Sequence, residues 1–160
     1  MSVVSDTTAI TTLLKAGHVK LLQELFERVF VPQAVWDELQ AFHANLPEFV
    51  EMRPVSDSSQ RLPGTETLGR GESEALLLAK ELNAKLLVTD DRKARMTAKR
   101  LNIACVGLVG IVIQAKRVGK ISSVRDLLET IKTKGGLYLS DAVIAEALHI
   151  ANEIPQLKPK

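Results

Sequence analysis

The chain has 160 residues, a length that suits one domain, and 46% of them are hydrophobic, enough for a full core. Its net charge of +2 is too small to argue by itself for a nucleic-acid partner, and no apolar run reaches the roughly 18 residues of a membrane span. The single cysteine, Cys105, excludes an internal disulfide and a cysteine-based zinc site. It lies in the apolar run Ile103-Ala104-Cys105-Val106 and reads as a buried thiol. The opening MSVVSDTT has neither a basic start nor an apolar signal core, so a cytoplasmic protein is expected.

In chain order, Ser2-Val3-Val4-Ser5 predicts a short strand. Residues 7–15 and 18–27 predict two helices around Gly17, the second with Leu21, Leu22, Leu25 and Phe26 at helical spacing. Val29-Phe30-Val31 predicts a second strand, and Pro32 suits the first turn of a helix running to about Ala41. Residues 43–53 fit no single period. Residues 54–70, PVSDSSQRLPGTETLGR, are polar with Pro and Gly and predict an exposed loop. A helix over 71–82, a strand over 85–89, a helix over 91–101 and a strand over 103–106 follow. Helices over 108–117, 123–134 and 141–150 complete the pattern. With no repeat, low-complexity tract or linker, a single domain over 1–152 and a tail over 153–160 are expected.

Short apolar strands alternating with helices predict an α/β fold, a parallel sheet covered on both faces. In such folds the site lies beyond the carboxyl ends of the strands. Asp6 follows the first strand, and Asp90 and Asp91 follow a later one, in LLVTDDRKAR. If those strands are parallel neighbours, their acids meet at one edge.

Helical phase, at about 100° per residue, selects further acids. In the helix over 32–42, Val35, Leu39 and Phe42 share a face; Glu38 borders it and Asp37 points away. In the helix over 71–82, Ala75, Ala79 and Leu82 define the apolar side, flanked by Leu76 and Leu78. Glu72 projects close to Ala79, in a first turn that favours an anion, whereas Glu74 groups with Glu81 on the wet side. Carboxylates gathered in one cleft repel unless a cation neutralises them, and oxygen-only ligands suit Mg²⁺ or Mn²⁺. Such ions activate water and stabilise charge on a phosphoryl group, with no need of histidine or cysteine.

Every one of these acids also has an ordinary explanation. Asp6 could cap the helix from Thr7, Glu72 could serve its own helix dipole, Asp90 or Asp91 could cap the next helix, and Glu38 could pair at the surface. The cations Arg92, Lys93, Arg95, Lys99 and Arg100 could be a solvated helix face. Alternatively Arg92, Arg95 and Lys99, which share a face, guide a phosphate backbone towards the acids. Lys116, Arg117 and Lys120 form a weaker basic group. His18, His43 and His149 are scattered without ligand spacing, and Ser140-Asp141 reads as a helix cap.

Taken together, VVSDTTAI, VPQAVWDEL, GRGESEALLLAKEL, LLVTDDRKAR with KRLNIACVGLVGIVIQAKRVGKI, and GLYLSDAVIAEAL resemble the PIN-domain family over about residues 2–150. The order and spacing of these pieces carry the resemblance, more than any one of them. The resemblance implies a three-layer α/β/α sandwich and a Mg²⁺- or Mn²⁺-dependent nuclease acting mostly on RNA. Many small members are VapC-type toxins restrained by an antitoxin, and many are homodimers. By the same resemblance the metal-binding acids fall on Asp6, Glu38, Glu72 (where many members have aspartate) and Asp90 or Asp91. The T-x-D pattern favours Asp91, whereas an acid directly after the strand favours Asp90. The substrate backbone falls to Arg92, Lys93, Arg95 and Lys99. A nucleic-acid-binding module with little or no turnover is the alternative.

Overall fold

The computed structural model describes residues 2–57 and 61–153. The expected tail beyond residue 153 and positions 58–60 of the expected loop lie outside the described residues. The elements in order are β1 (Val3–Ser5), α1 (Thr7–Ala16), α2 (Lys20–Phe26), β2 (Val29–Val31), α3 (Gln33–Phe42) and β3 (Val50–Met52). They continue with α4 (Arg70–Glu81), β4 (Leu86–Val88), α5 (Arg92–Arg100), β5 (Cys105–Val106), α6 (Leu108–Arg117), α7 (Val124–Thr133) and α8 (Asp141–Ile150).

The strands form one all-parallel sheet in the order β3-β2-β1-β4-β5. Their period of two divides the core. Val3, Val29, Val31, Val50 and Val88 face one way, onto Ile10, Leu13, Val35, Leu39, Ile111 and Leu128 of the larger helical layer. Val4, Phe30 and Leu87 face the other way, onto α4 and α5 through Ala75, Leu76, Ala79, Ala94 and Ala98. The expected α/β/α sandwich with a central parallel sheet is therefore present. The sequence runs outward from β1 in both directions, so the switch of strand order falls between β1 and β4. A crevice opens at the carboxyl edge of such a point.

Several expectations need correction. The unassigned stretch 43–53 contains the edge strand β3. The loop over 54–70 is not simply exposed: Val55 and Thr65 are buried, and the Thr65 hydroxyl donates to the Leu62 carbonyl at 2.7 Å. Phe42 is 80% exposed, because α3 outruns the core in its last turn. Cys105 is half-buried rather than buried, since β5 is an edge strand. Glu74 is only 5% exposed, not on a wet face. It accepts from the Ala34 amide at 3.1 Å and pairs with Arg70 at 3.0 Å. It thereby caps α3, whose own N-cap position, Pro32, offers no side-chain acceptor.

No helix among the described residues is long and apolar enough to cross a membrane.

Candidate active site

Ser5 pairs in register with Val88, so the residues just past β1 and β4 lie side by side. Asp6 is 2% exposed and its amide donates to the Val88 carbonyl at 3.1 Å. Its Oδ1 accepts from the Ala9 amide at 3.1 Å, capping α1. Its Oδ2 accepts from the Thr89 hydroxyl at 2.6 Å. The ordinary reading of Asp6 as a helix cap and its place in an acid cluster thus coexist. Burial pushes its carboxyl up to about 7; the bonds from Thr89 and Ala9 oppose this, and repulsion from Asp90 and Glu72 adds to it.

The two aspartates after β4 part company. Asp90 accepts from the Leu108 amide at 3.1 and 3.3 Å through its two oxygens, capping α6, where Gly107 at the N-cap has no side chain to do so. Burial raises its pKa, against the opposing effects of the Leu108 amide and the Arg95 charge. Asp91 caps α5 by accepting from the Ala94 amide at 2.8 Å, and its own amide donates to the Thr89 hydroxyl at 3.1 Å. Asp90 is therefore the member of the pair that repels Asp6, while Asp91 lines a cavity of about 480 Å³ with Glu72, Arg92 and Lys93.

Glu72 and Glu38 complete the cluster. Glu72 stands in the first turn of α4. Glu38 is exposed as a residue, but partial desolvation of its carboxyl raises its pKa, with repulsion from Glu72 adding to the shift. The Thr7 hydroxyl lies near enough to oppose that shift, yet this buried oxygen has no partner in hydrogen-bonding geometry. Asp37 is exposed and bonds to Gln33, as its phase predicts.

Three glycines make room for three of these acids. A Cβ on Gly69 would lie 2.5 Å from Glu72 Oε2, one on Gly71 2.6 Å from Glu38 Oε1, and one on Gly107 2.5 Å from Asp90 Oδ1. Sequence reasoning gave Gly69 and Gly71 no part in the site and missed this role. It also passed over Thr89, although a hydroxyl level with Asp6 across parallel strands is readable once the pairing is known.

Arg92, Arg95 and Lys99 line a single groove of about 690 Å³ together with Asp90, as their shared face predicts. Lys93 lines only the second cavity, which it shares with Arg92.

Among the described residues no group of three His, Cys, Asp or Glu side chains is gathered tightly enough to hold a metal ion. The donor chemistry nevertheless fits Mg²⁺ or Mn²⁺. All the donors are oxygens, and the burial and neighbouring acids that raise the Asp6 carboxyl to about 7 are penalties that a bound cation would relieve.

Comparison with known proteins agrees with this fold. The family model for a PIN domain, DUF3368, matches residues 2–153. Among solved structures, a PilT N-terminus domain protein from the hyperthermophilic archaeon Sulfolobus solfataricus P2 is similar, with a TM-score of 0.54 and 21% identity. The match covers 83% of this chain and 95% of that one. At that identity the likeness speaks for the fold alone. No curated protein matches the chain.

Proposed function

Because the chain belongs to the PIN-domain family, generally a nuclease fold, we propose that it is a metal-dependent endoribonuclease hydrolysing phosphodiester bonds of RNA. The observation that carries this reading is Asp6, buried at the switch point of the sheet with Glu72 and Asp90 close enough to raise its pKa.

Asp6, Glu72 and Asp90 would hold a divalent ion, with Glu38 beside Glu72 and Asp91 on the α5 side. When bound, such an ion supplies activation of water and neutralisation of charge on the phosphoryl group. Asp6 is fixed by Thr89 and Ala9, so it meets its charge partner without reorganising. Arg92, Arg95 and Lys99 hold the backbone along their groove, and Lys93 serves the second cavity.

The test is cleavage of a labelled single-stranded RNA pool with Mn²⁺, with Mg²⁺ and with chelator, comparing wild type and Asp6→Asn. Metal-dependent cleavage that disappears in the variant is expected. A folded Asp6→Asn protein that cuts at the normal rate would sink the assignment.

A second reading, a nucleic-acid-binding module with little or no turnover, is favoured by one observation: the acids are not drawn together for an ion, while the cations already line a groove. Calorimetric Mn²⁺ titration beside RNA binding separates the two readings. Tight RNA binding without metal uptake selects the module. The nuclease reading extends to a toxin restrained by an antitoxin protein and to a homodimer. Growth arrest on induced expression tests the first extension and solution mass the second.

A further inference from the structure

The groove beside α5 contains more than a phosphate track requires. Its lining includes Met96, Ile103, Ala104 and Cys105 in addition to its three cations and Asp90. The exposed residues of α5 are Arg92, Lys93, Arg95, Met96, Lys99 and Arg100, and Met96 alone among them is apolar. It is 62% exposed, so it packs no core. A lining that mixes three cations with Met96, Ile103, Ala104 and Cys105, around a volume of about 690 Å³, has the size and mixed character of a small-ligand site. An RNA duplex keeps its base faces stacked inside and would offer this lining only sugar, phosphate and base edges. An unstacked base offers an apolar face for Met96 and Ile103, and its flanking phosphates lie where Arg92, Arg95 and Lys99 stand. Methionine suits that contact, being flexible and polarizable.

We propose that this groove is a subsite for one unpaired nucleobase, seated on Met96 and Ile103 and flanking the phosphate at the acid cluster. The assignment rests on the nuclease reading, and its test does not need turnover. Cys105, the chain's single cysteine, lines the same groove and reports its occupancy.

The experiment uses the full chain in chelator, so that nothing is cut. Iodoacetamide labelling of Cys105 is timed alone, with a single-stranded RNA oligomer of mixed sequence, and with the same strand in a duplex. Affinity for both RNAs is then measured for wild type and Met96→Ser, an exposed change that leaves every charge in place. The single strand is expected to slow labelling and the duplex to leave it unchanged. Met96→Ser should weaken single-strand binding by about two- to ten-fold, the range of a thioether–aromatic contact, with its salt dependence unaltered.

Equal protection by strand and duplex would overturn the subsite. So would no protection at all, which would leave the groove to a protein partner, or undiminished binding by Met96→Ser. Protection without any metal-dependent cleavage keeps the subsite and removes the nuclease. Cleavage without protection does the reverse.

Discussion

The Thr89 hydroxyl donates to Asp6 Oδ2 at 2.6 Å and accepts from the Asp91 amide at 3.1 Å, so one side chain ties the end of β1 to the start of α5. Thr89→Val keeps the shape and removes both bonds. The buried Asp6 oxygen and the Asp91 amide then each lose a partner, at an expected cost of ~1–3 kcal/mol in the metal-free protein. Cleavage should also fall, because Asp6 is no longer fixed. Thr89→Ser restores the hydroxyl and should recover most of both. Urea unfolding in chelator, run beside the cleavage assay, checks this. Identical unfolding midpoints for Thr89→Val and wild type would refute it.

The raised pKa of Asp6 makes the metal-free protein sensitive to pH. Its folded value of about 7 lies above the ordinary 3.8, so the folded state holds the proton more tightly than the unfolded chain. Stability therefore falls as pH rises from 3.8 towards 7 and levels off above that, by a total on the order of a few kcal/mol. Asp6→Asn cannot ionise and should escape this loss. It is expected to be more stable than wild type at about pH 8 in chelator, with the advantage shrinking towards about pH 5. Mn²⁺ should narrow the gap by stabilising wild type alone. Denaturation curves across this range test it, and parallel pH profiles for the two proteins would contradict it.

Much of the candidate site is legible in the sequence alone. Asp6 and Asp90 stand at strand ends, where an alternating α/β pattern puts its crevice, and the shared face of Arg92, Arg95 and Lys99 follows from spacing. Glu74 was misplaced for a physical reason. Helical phase assumes one dry side, but α4 packs on the sheet and on α3 together, and every residue from Ser73 to Ala79 is buried. Phe42 failed in the opposite way, by extending a valid face one turn beyond the core. Strand β3, Val50–Met52, is too short to establish any period. The division of labour between Asp90 and Asp91 depends on which helix N-terminus each can reach, and only the packing of α6 against β5 decides that.

Glu72 and Glu74 sit in one helical turn with opposite duties, which gives a paired prediction. Glu74→Gln weakens the α3 cap and the Arg70 pair, so it should lose ~1–2 kcal/mol of stability while a folded sample keeps its cleavage rate. Glu72→Gln removes an acid that repels Asp6 and should leave stability equal or higher while cleavage falls. The measurement is thermal unfolding with single-turnover cleavage for both variants. A Glu72→Gln protein that is unstable and fully active would reverse the assignment of the two roles.

The glycine opposite Asp90 offers a test by addition. A Cβ at residue 107 would fall 2.5 Å from Asp90 Oδ1, and that carboxylate can swing away because it is a side-chain end. Gly107→Ala should therefore fold, with Asp90 displaced from the Leu108 amide and from the acid cluster. The expected reading is Mn²⁺ affinity reduced several-fold by calorimetry, with a smaller change in melting temperature. Unchanged Mn²⁺ uptake would remove Asp90 from the ligand set.

Glu153 accepts from the Val124 amide at 2.6 Å, the Arg125 amide at 3.1 Å and Lys116 Nζ at 2.7 Å, joining the segment after α8 to the start of α7 and the end of α6. Burial would push its carboxyl up, but the Lys116 bond and the two amides outweigh it, and its pKa falls below the ordinary 4.5. A lowered folded pKa stabilises the fold fully above 4.5, and that contribution disappears as pH falls through the folded value. Glu153→Gln keeps an acceptor and drops the charge. It should be less stable than wild type near neutral pH, and the difference should close in acid as wild type takes up its proton. Urea unfolding of both proteins along a descending pH series reads this directly. A difference that persists unchanged below the folded pKa would mean that Glu153 acts by shape rather than by charge.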